Sequence, residues 1–194
     1  MSTKKQDTRT AILMEAQDMI ERLSISGVSF QDIANKVGIK KGSMYYHFES
    51  KDDLSVGMLN LTSEKMTEIF ERGLQLPPEV RLKNLLSFYK TRLCEAGKIC
   101  AGGIYASHWD NLNGPVKDAA KGVIAALHDG IKGVLEDGIK AGVFNDHGQT
   151  VDDLAGWITA SIQGALVTSR VQESTASFES IEKVISNYLL AKPA

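Results

Sequence analysis

Between Gln31 and Lys51 the chain gathers Lys40, Lys41, Gly42, Ser43, Tyr45, Tyr46 and His47. Their chemistry is that of holding a polyanion. Ammonium groups neutralise phosphates, and serine and tyrosine hydroxyls donate to phosphate oxygens. A glutamine such as Gln31 can reach a base edge or a phosphate. Gly42, with no side chain, lets a nucleic-acid backbone come close. The opposite reading of the same residues is a solvated lysine face with Tyr45 and His47 packed inward. For Tyr45 both readings hold together, with the ring packed and the hydroxyl outward. No set of this kind points to bond-making elsewhere. No nucleophile, base and orienting group fall into a recognisable pattern, and Gly130, Gly133 and Gly138 lie in a helical pattern, not in a strand–loop–helix context.

Binding groups of this kind work only when a rigid element presents them. Ser29 is placed to cap a short helix over 30–37, with Asp32 at the capping-box position. Gly38 supplies a turn, and a further short helix fits 41–47. Ala34 stands where the two helices must approach, and Ile33, Val37, Ile39 and Met44 turn inward against a first helix over 10–23. This is a helix-turn-helix, whose second helix would lie in a major groove. Beyond it, helical stripes predict a helix from Lys51 to Gly73, one from Pro77-Pro78 to Gly97, and a short one around Tyr105 to Trp109. A long helix then ends at Gly142, and two more cover 151–172 and 177–190. The fold class is all-α, about nine helices. A helix-turn-helix head (1–50) precedes a larger helical body (51–194).

Composition narrows the function classes. In 194 residues, 43% are hydrophobic and 24% charged, which is globular and not disordered. No run of 18 apolar residues is present and the start is polar, so neither a membrane partner nor a secretory signal is expected. Two cysteines cannot build a disulfide scaffold and fit a cytoplasmic protein. The net charge is −2, yet through Lys51 eight Lys/Arg face six Asp/Glu, a mild basic bias in the head.

The run Asp32-Ile33-Ala34, Val37-Gly38-Ile39, Gly42-Ser43-Met44-Tyr45-Tyr46-His47-Phe48 and Ser50-Lys51 with Leu54 resembles the TetR/AcrR family of transcriptional regulators. The resemblance covers about residues 10–56. It implies that Gln31, Lys41, Ser43 and Tyr46 choose bases, and that Tyr45, His47 and Lys51 grip phosphates or orient the recognition helix. It implies double-stranded operator DNA and a second copy of the chain as partners, with a small-molecule effector bound in the body. Repression, palindromic operators and release by the effector also rest on the resemblance. One departure stands out: family members usually carry a glycine after the acidic-basic pair closing the first helix. Here Glu21-Arg22 runs into Leu23-Ser24-Ile25-Ser26-Gly27. A small enzyme, or a helical scaffold without specific DNA binding, is the alternative class.

In the body, Phe88, Tyr89, Arg92, Tyr105, His108, Trp109 and Trp157 are candidates to line a pocket for a small organic effector. The same aromatics at helical spacing also read as plain core. Cys94 and Cys100 flank Gly97, with Arg92 and Lys98 near them, and a nearby cation lowers a thiol pKa. Cys100 is placed like the cysteine through which some family relatives sense electrophiles or oxidants, which makes Cys100 and Cys94 candidates for redox sensing and an electrophile an alternative effector; otherwise both are small buried hydrophobes. Gly156, Ala160, Gly164 and Ala165 on one helix, with Ile181, Ile185 and Tyr188 on the next, are candidates for a four-helix contact between two chains. No metal site, cofactor or catalytic residue is expected.

Overall fold

The computed structural model describes residues 2–190, with side chains from Asp7 onward. Among the described residues there are nine α-helices and no strand. They are α1 (Ser2–Leu23), α2 (Phe30–Val37), α3 (Lys41–Met44), α4 (Lys51–Arg72), α5 (Pro78–Tyr89), α6 (Ala101–Ala106), α7 (Gly114–Lys140), α8 (Val151–Val171) and α9 (Ala176–Leu190). None is long and apolar enough to cross a membrane.

The helix ends follow local chemistry. Ser29 caps α2 with both arms of the capping box: its hydroxyl accepts from the Asp32 N–H at 3.3 Å, and its own N–H donates to Asp32 Oδ2 at 2.9 Å. The Ser29 hydroxyl and N–H hold the Asp32 carboxyl below its ordinary pKa. Gly38 closes α2 at φ 78°, a left-handed conformation that a side chain resists, and its N–H returns to the Ala34 carbonyl at 2.9 Å. Pro78 opens α5, where its missing N–H costs nothing. The Thr150 hydroxyl accepts from the Asp153 N–H at 3.1 Å to start α8.

Several boundaries differ from the periodicity. α1 begins at Ser2, not near residue 10. An apolar stripe marks only the packed part of a helix, and no glycine or proline interrupts 2–10. α3 is a single turn ending at Met44 and not at His47. Tyr45 to His47 form a turn in which the His47 and Phe48 N–H groups both return to the Met44 carbonyl. The stripe through Leu93 is not one α-helix: Lys90–Cys94 widen into a π-helical turn before Gly97, a distortion that no local sequence signal marks. The sixth helix starts at Ala101, earlier than Tyr105, and Trp109–Asn111 form a separate 3₁₀ turn. Ser24 takes the left-handed conformation after α1 (φ 68°), where the resemblance leads one to expect a glycine.

Two compact units share the chain. The first comprises residues 1–63 and 101–123, the second 64–100 and 124–194, so the divisions fall inside α4, at the start of α6 and inside α7. In the first unit α2 packs on α1 and α3, and α6 packs on α1. Ile12, Ala16, Ile20, Ile33, Ala34, Met44 and Phe48 form its centre. In the second unit α8 packs on α9, and both meet the π-helical turn. Tyr89, Ile131, Val134, Ile158, Ile162, Phe178 and Ile185 are buried there.

Candidate nucleic-acid interface

The head presents its binding groups on a turn anchored from beneath. Met44 and Phe48 are buried, and they bracket the run Tyr45-Tyr46-His47. The Arg9 guanidinium lies over the Phe48 ring at 4.9 Å. On the other side, Lys40, Lys41 and Gly42 are exposed, Ser43 and His47 are partly buried, and Tyr46 is 80% exposed. Tyr45 is 56% exposed, while its ring rests against Phe30 at 5.4 Å. Its ring is thus packed on one face and its remainder outward. Gln31 is exposed on α2, its amide donating to Asn35 Oδ1 at 2.8 Å. A concave notch of about 530 Å³ runs beside this surface, lined among others by Ser29, Lys41, Tyr45, Ser50 and Lys51.

Lys51 has a more internal role than its neighbours. Its ammonium donates to the Ile25 carbonyl at 2.5 Å, tying the start of α4 to the link between α1 and α2. The same end of α4 is held from α6. The Tyr105 hydroxyl donates to Ser55 Oγ at 2.7 Å, and the Ser55 hydroxyl donates to the Lys51 carbonyl at 2.8 Å. His108 Nε2 stands 3.4 Å from the Ser24 hydroxyl, and Asn113 Nδ2 donates to Asp52 Oδ2 at 2.8 Å. Thus α6 and the segment after it hold the start of α4 at two points and the end of α1 at one, all within the first unit.

Tyr105 is fully buried. Burial pushes its hydroxyl up to about 12, the Ser55 hydrogen bond pulls it down, and Asp52 pushes it up again. Removing the hydroxyl in Tyr105→Phe is expected to cost about 1 kcal/mol near neutral pH, a fall of about 2–4 °C in Tm. The folded pKa lies above the ordinary tyrosine value of about 10, so the folded state keeps this proton longer than the unfolded chain. The wild-type advantage is therefore present below pH 10 and declines as pH rises from 10 towards 12. Urea titrations of both proteins from pH 7 to 11.5 measure it; a constant difference across that range contradicts the assignment.

The other sequence candidates fall into separate places. Tyr105, His108 and Trp109 belong to the first unit, and Phe88, Tyr89, Arg92 and Trp157 to the second. Trp109 is covered by Lys117 and Lys121, whose ammonium groups stand 5.6 and 6.0 Å from its ring centre. Phe88 meets Tyr89 edge-on at 5.7 Å, and Arg92 is exposed. Trp157 is instead on the outside of α8, edge-on to Tyr188 at 5.3 Å, above a depression also lined by Gln149 and Asp153. Cys94 and Cys100 are buried and form no disulfide. Among the described residues, no three His, Cys, Asp or Glu side chains are grouped to hold a metal.

Of the candidates for a contact between chains, Ala160 and Gly164 are exposed, and Gly156, Ile181 and Tyr188 are partly so. Ala165 and Ile185 are buried within the chain. Helical spacing missed Val167, Val171, Val184 and Leu190, which are all exposed, Val171 by 81%. The signal was available: 157, 160, 164, 167 and 171 follow helical spacing on α8, a second stripe beside the one that forms the core.

Residues 12–56 match the family described as bacterial regulatory proteins of the tetR family. The nucleoid occlusion factor SlmA of Marinomonas sp. (strain MWYL1) is 31% identical over 75 residues, a match that covers 39% of this chain and 38% of that protein. The chain therefore matches less than two-fifths of that relative's length. Over nearly the whole chain, a TetR-family regulator from Agrobacterium tumefaciens superposes with a TM-score of 0.84 at 25% identity, covering 96% of this chain and 99% of the other. A TetR regulator from Legionella pneumophila superposes with a TM-score of 0.81 at 25% identity, covering 92% and 95%.

Proposed function

From the match of residues 12–56 to the tetR family of bacterial regulatory proteins and the superposition of nearly the whole chain on TetR-family regulators, we propose that this chain is a regulator of that family, a ligand-responsive transcriptional repressor and not an enzyme. It binds a palindromic operator as a homodimer and leaves it when a small organic effector occupies the body. The observation that carries the reading is the anchored turn. Buried Met44 and Phe48 fix a short segment on which Lys40, Lys41, Gly42 and Tyr46 are all exposed. A turn held in this way loses little freedom on binding, so its contacts are not offset by ordering entropy. Lys40 and Lys41 neutralise phosphates, Gln31, Ser43 and Tyr46 meet base edges, and Tyr45 and His47 position the turn. Lys51 acts from behind, through its bond to Ile25.

A dimer requires a surface, and the outer face of α8 and α9 supplies an apolar one in Trp157, Val167, Val171, Val184 and Leu190. Exposed apolar patches of this kind mark association sites. Two-fold pairing through it presents two heads to two half-sites. For release, the hydrogen-bonded path Tyr105–Ser55–Lys51–Ile25 makes the placement of α6 matter to the head. An effector that favours one placement of α6 lowers operator affinity by linkage. Burial of both cysteines limits access of reagents to their sulfurs, which favours a non-covalent organic effector over an electrophile.

Selection from randomised duplexes, followed by gel-shift titration of the enriched sequence, tests the reading. An enriched palindrome bound at least about a thousandfold more tightly than random duplex at physiological salt is expected. Tyr46→Ala is expected to lower specific affinity about tenfold or more without changing Tm, since the side chain is largely exposed. No enrichment of any sequence, or full affinity in Tyr46→Ala, counts against it.

A further inference from the structure

The corner where α4 ends and α5 begins holds a cavity of about 240 Å³, lined by Phe70, Arg72, Leu76, Arg81, Asn84 and Leu85 among others. We infer that this cavity is a binding site for a small monocarboxylate with an apolar tail, its carboxylate held by the Arg81 guanidinium. The inference names a ligand class for the body of the proposed regulator and rests on that reading only for its regulatory consequence.

Arg81 is the unusual group. It is only 7% exposed, and charged side chains are rarely buried unless paired. It is paired on one side alone: Nη1 donates to Asp137 Oδ2 at 2.5 Å, while the buried Nε has no acceptor. A buried donor without a partner is costly, and the planar fork of arginine matches a carboxylate through two parallel hydrogen bonds. The Asp137 side chain is half exposed, so water screens its charge in part, whereas the Arg81 side chain is almost wholly buried. Arg72, whose Nη2 donates to Glu68 Oε2 at 2.8 Å, adds a second guanidinium to the lining, and neither Glu68 nor Asp137 lines the cavity. Asn84 adds an amide that can donate or accept.

The rest of the site is apolar. Phe70 and Leu85 form walls, and Phe70 has little room to turn away because its ring lies against Gly130. At the mouth, Ile69, Leu74 and Leu76 are exposed in one short stretch of chain, a patch that a hydrocarbon tail can cover. The volume lies below the roughly 300–1,000 Å³ of ordinary ligand pockets, which restricts the occupant to a small molecule.

Calorimetric titration of the full chain with sodium octanoate, in the absence of DNA, tests the site, with 1-octanol as the uncharged comparison. Saturable octanoate binding is expected, at least about tenfold tighter than octanol. Arg81→Gln should weaken octanoate at least about tenfold, with Arg81→Lys in between, because lysine keeps the charge and loses the fork. Should Arg81→Gln fail to fold, Leu76→Trp decides. It plugs the mouth from an exposed position and should weaken octanoate to the same degree. Absence of saturable binding at millimolar octanoate, equal affinity for octanol, or wild-type affinity in Arg81→Gln or Leu76→Trp overturns the assignment. A protein that selects no operator leaves this result standing, and one that selects an operator but ignores octanoate refutes this site alone.

Discussion

Val167→Asp together with Val171→Asp is expected to convert the proposed dimer to a monomer and to lower affinity for the proposed operator at least about a hundredfold. Both valines are exposed on the second stripe of α8, so the substitutions remove nothing from the core of the chain. In a two-chain contact each aspartate would be desolvated beside apolar groups and, by two-fold symmetry, near its own copy. Either penalty exceeds what one helix pair can offset. A monomer engages a single half-site, and the second head no longer adds its contacts at high effective concentration. Light scattering after gel filtration distinguishes a 21.1 kDa particle from one of twice that mass. Lys83→Asp, exposed on α5 away from this stripe, is the charge-matched comparison and should remain dimeric. A double variant that keeps the dimer mass at micromolar protein removes α8 from the interface.

The second large effect is a reversal of sign within one helix. Gly130, Gly133 and Gly138 all lie in α7, and helix propensity alone says that each alanine replacement gains about 1 kcal/mol. The surroundings disagree. A Cβ at Gly133 meets nothing within 4 Å. A Cβ at Gly130 falls 2.1 Å from the Phe70 ring, and one at Gly138 falls 2.0 Å from the Phe144 ring. Real carbon atoms do not approach so closely, so a ring must move. Phe144 is buried in the second unit and has nowhere to go without opening the core. Overpacking of this sort costs about 1–3 kcal/mol, which outweighs the gain in propensity. Gly133→Ala should therefore raise Tm by about 2–4 °C, while Gly130→Ala and Gly138→Ala should lower it by a similar or larger amount. Thermal melts of the three single variants read this directly. A rise in all three means that the rings relax at no cost.

Much of the head was legible because its determinants are local. The capping box at Ser29 and Asp32 and the glycine turn at 38 each act within four residues, and both formed as read. The exposure of Tyr46 follows from its place between buried Met44 and Phe48. Lys51 was harder. Its position suggested a phosphate grip or a helix-orienting role, and its bond to the Ile25 carbonyl, 26 residues away in sequence, is a contact that no local spacing announces. Ile185 and Val184 show the same difficulty on α9. Adjacent residues of the same chemistry lie one inside and one outside, and helical spacing cannot say which stripe faces in.

By itself, then, the order of residues determined nine helical segments, the caps at Ser29 and Gly38, and the gathering of cations and hydroxyls on and beside the third, because backbone preference and helical periodicity operate over a few neighbouring positions. The tertiary structure decided what those segments meet. It placed Tyr105 against Ser55, buried Arg81 beside Asp137, and laid Phe70 and Phe144 over glycines of α7. These contacts join positions roughly fifty or more residues apart in most cases, and no rule of spacing reaches so far; only the close packing of whole helices selects them.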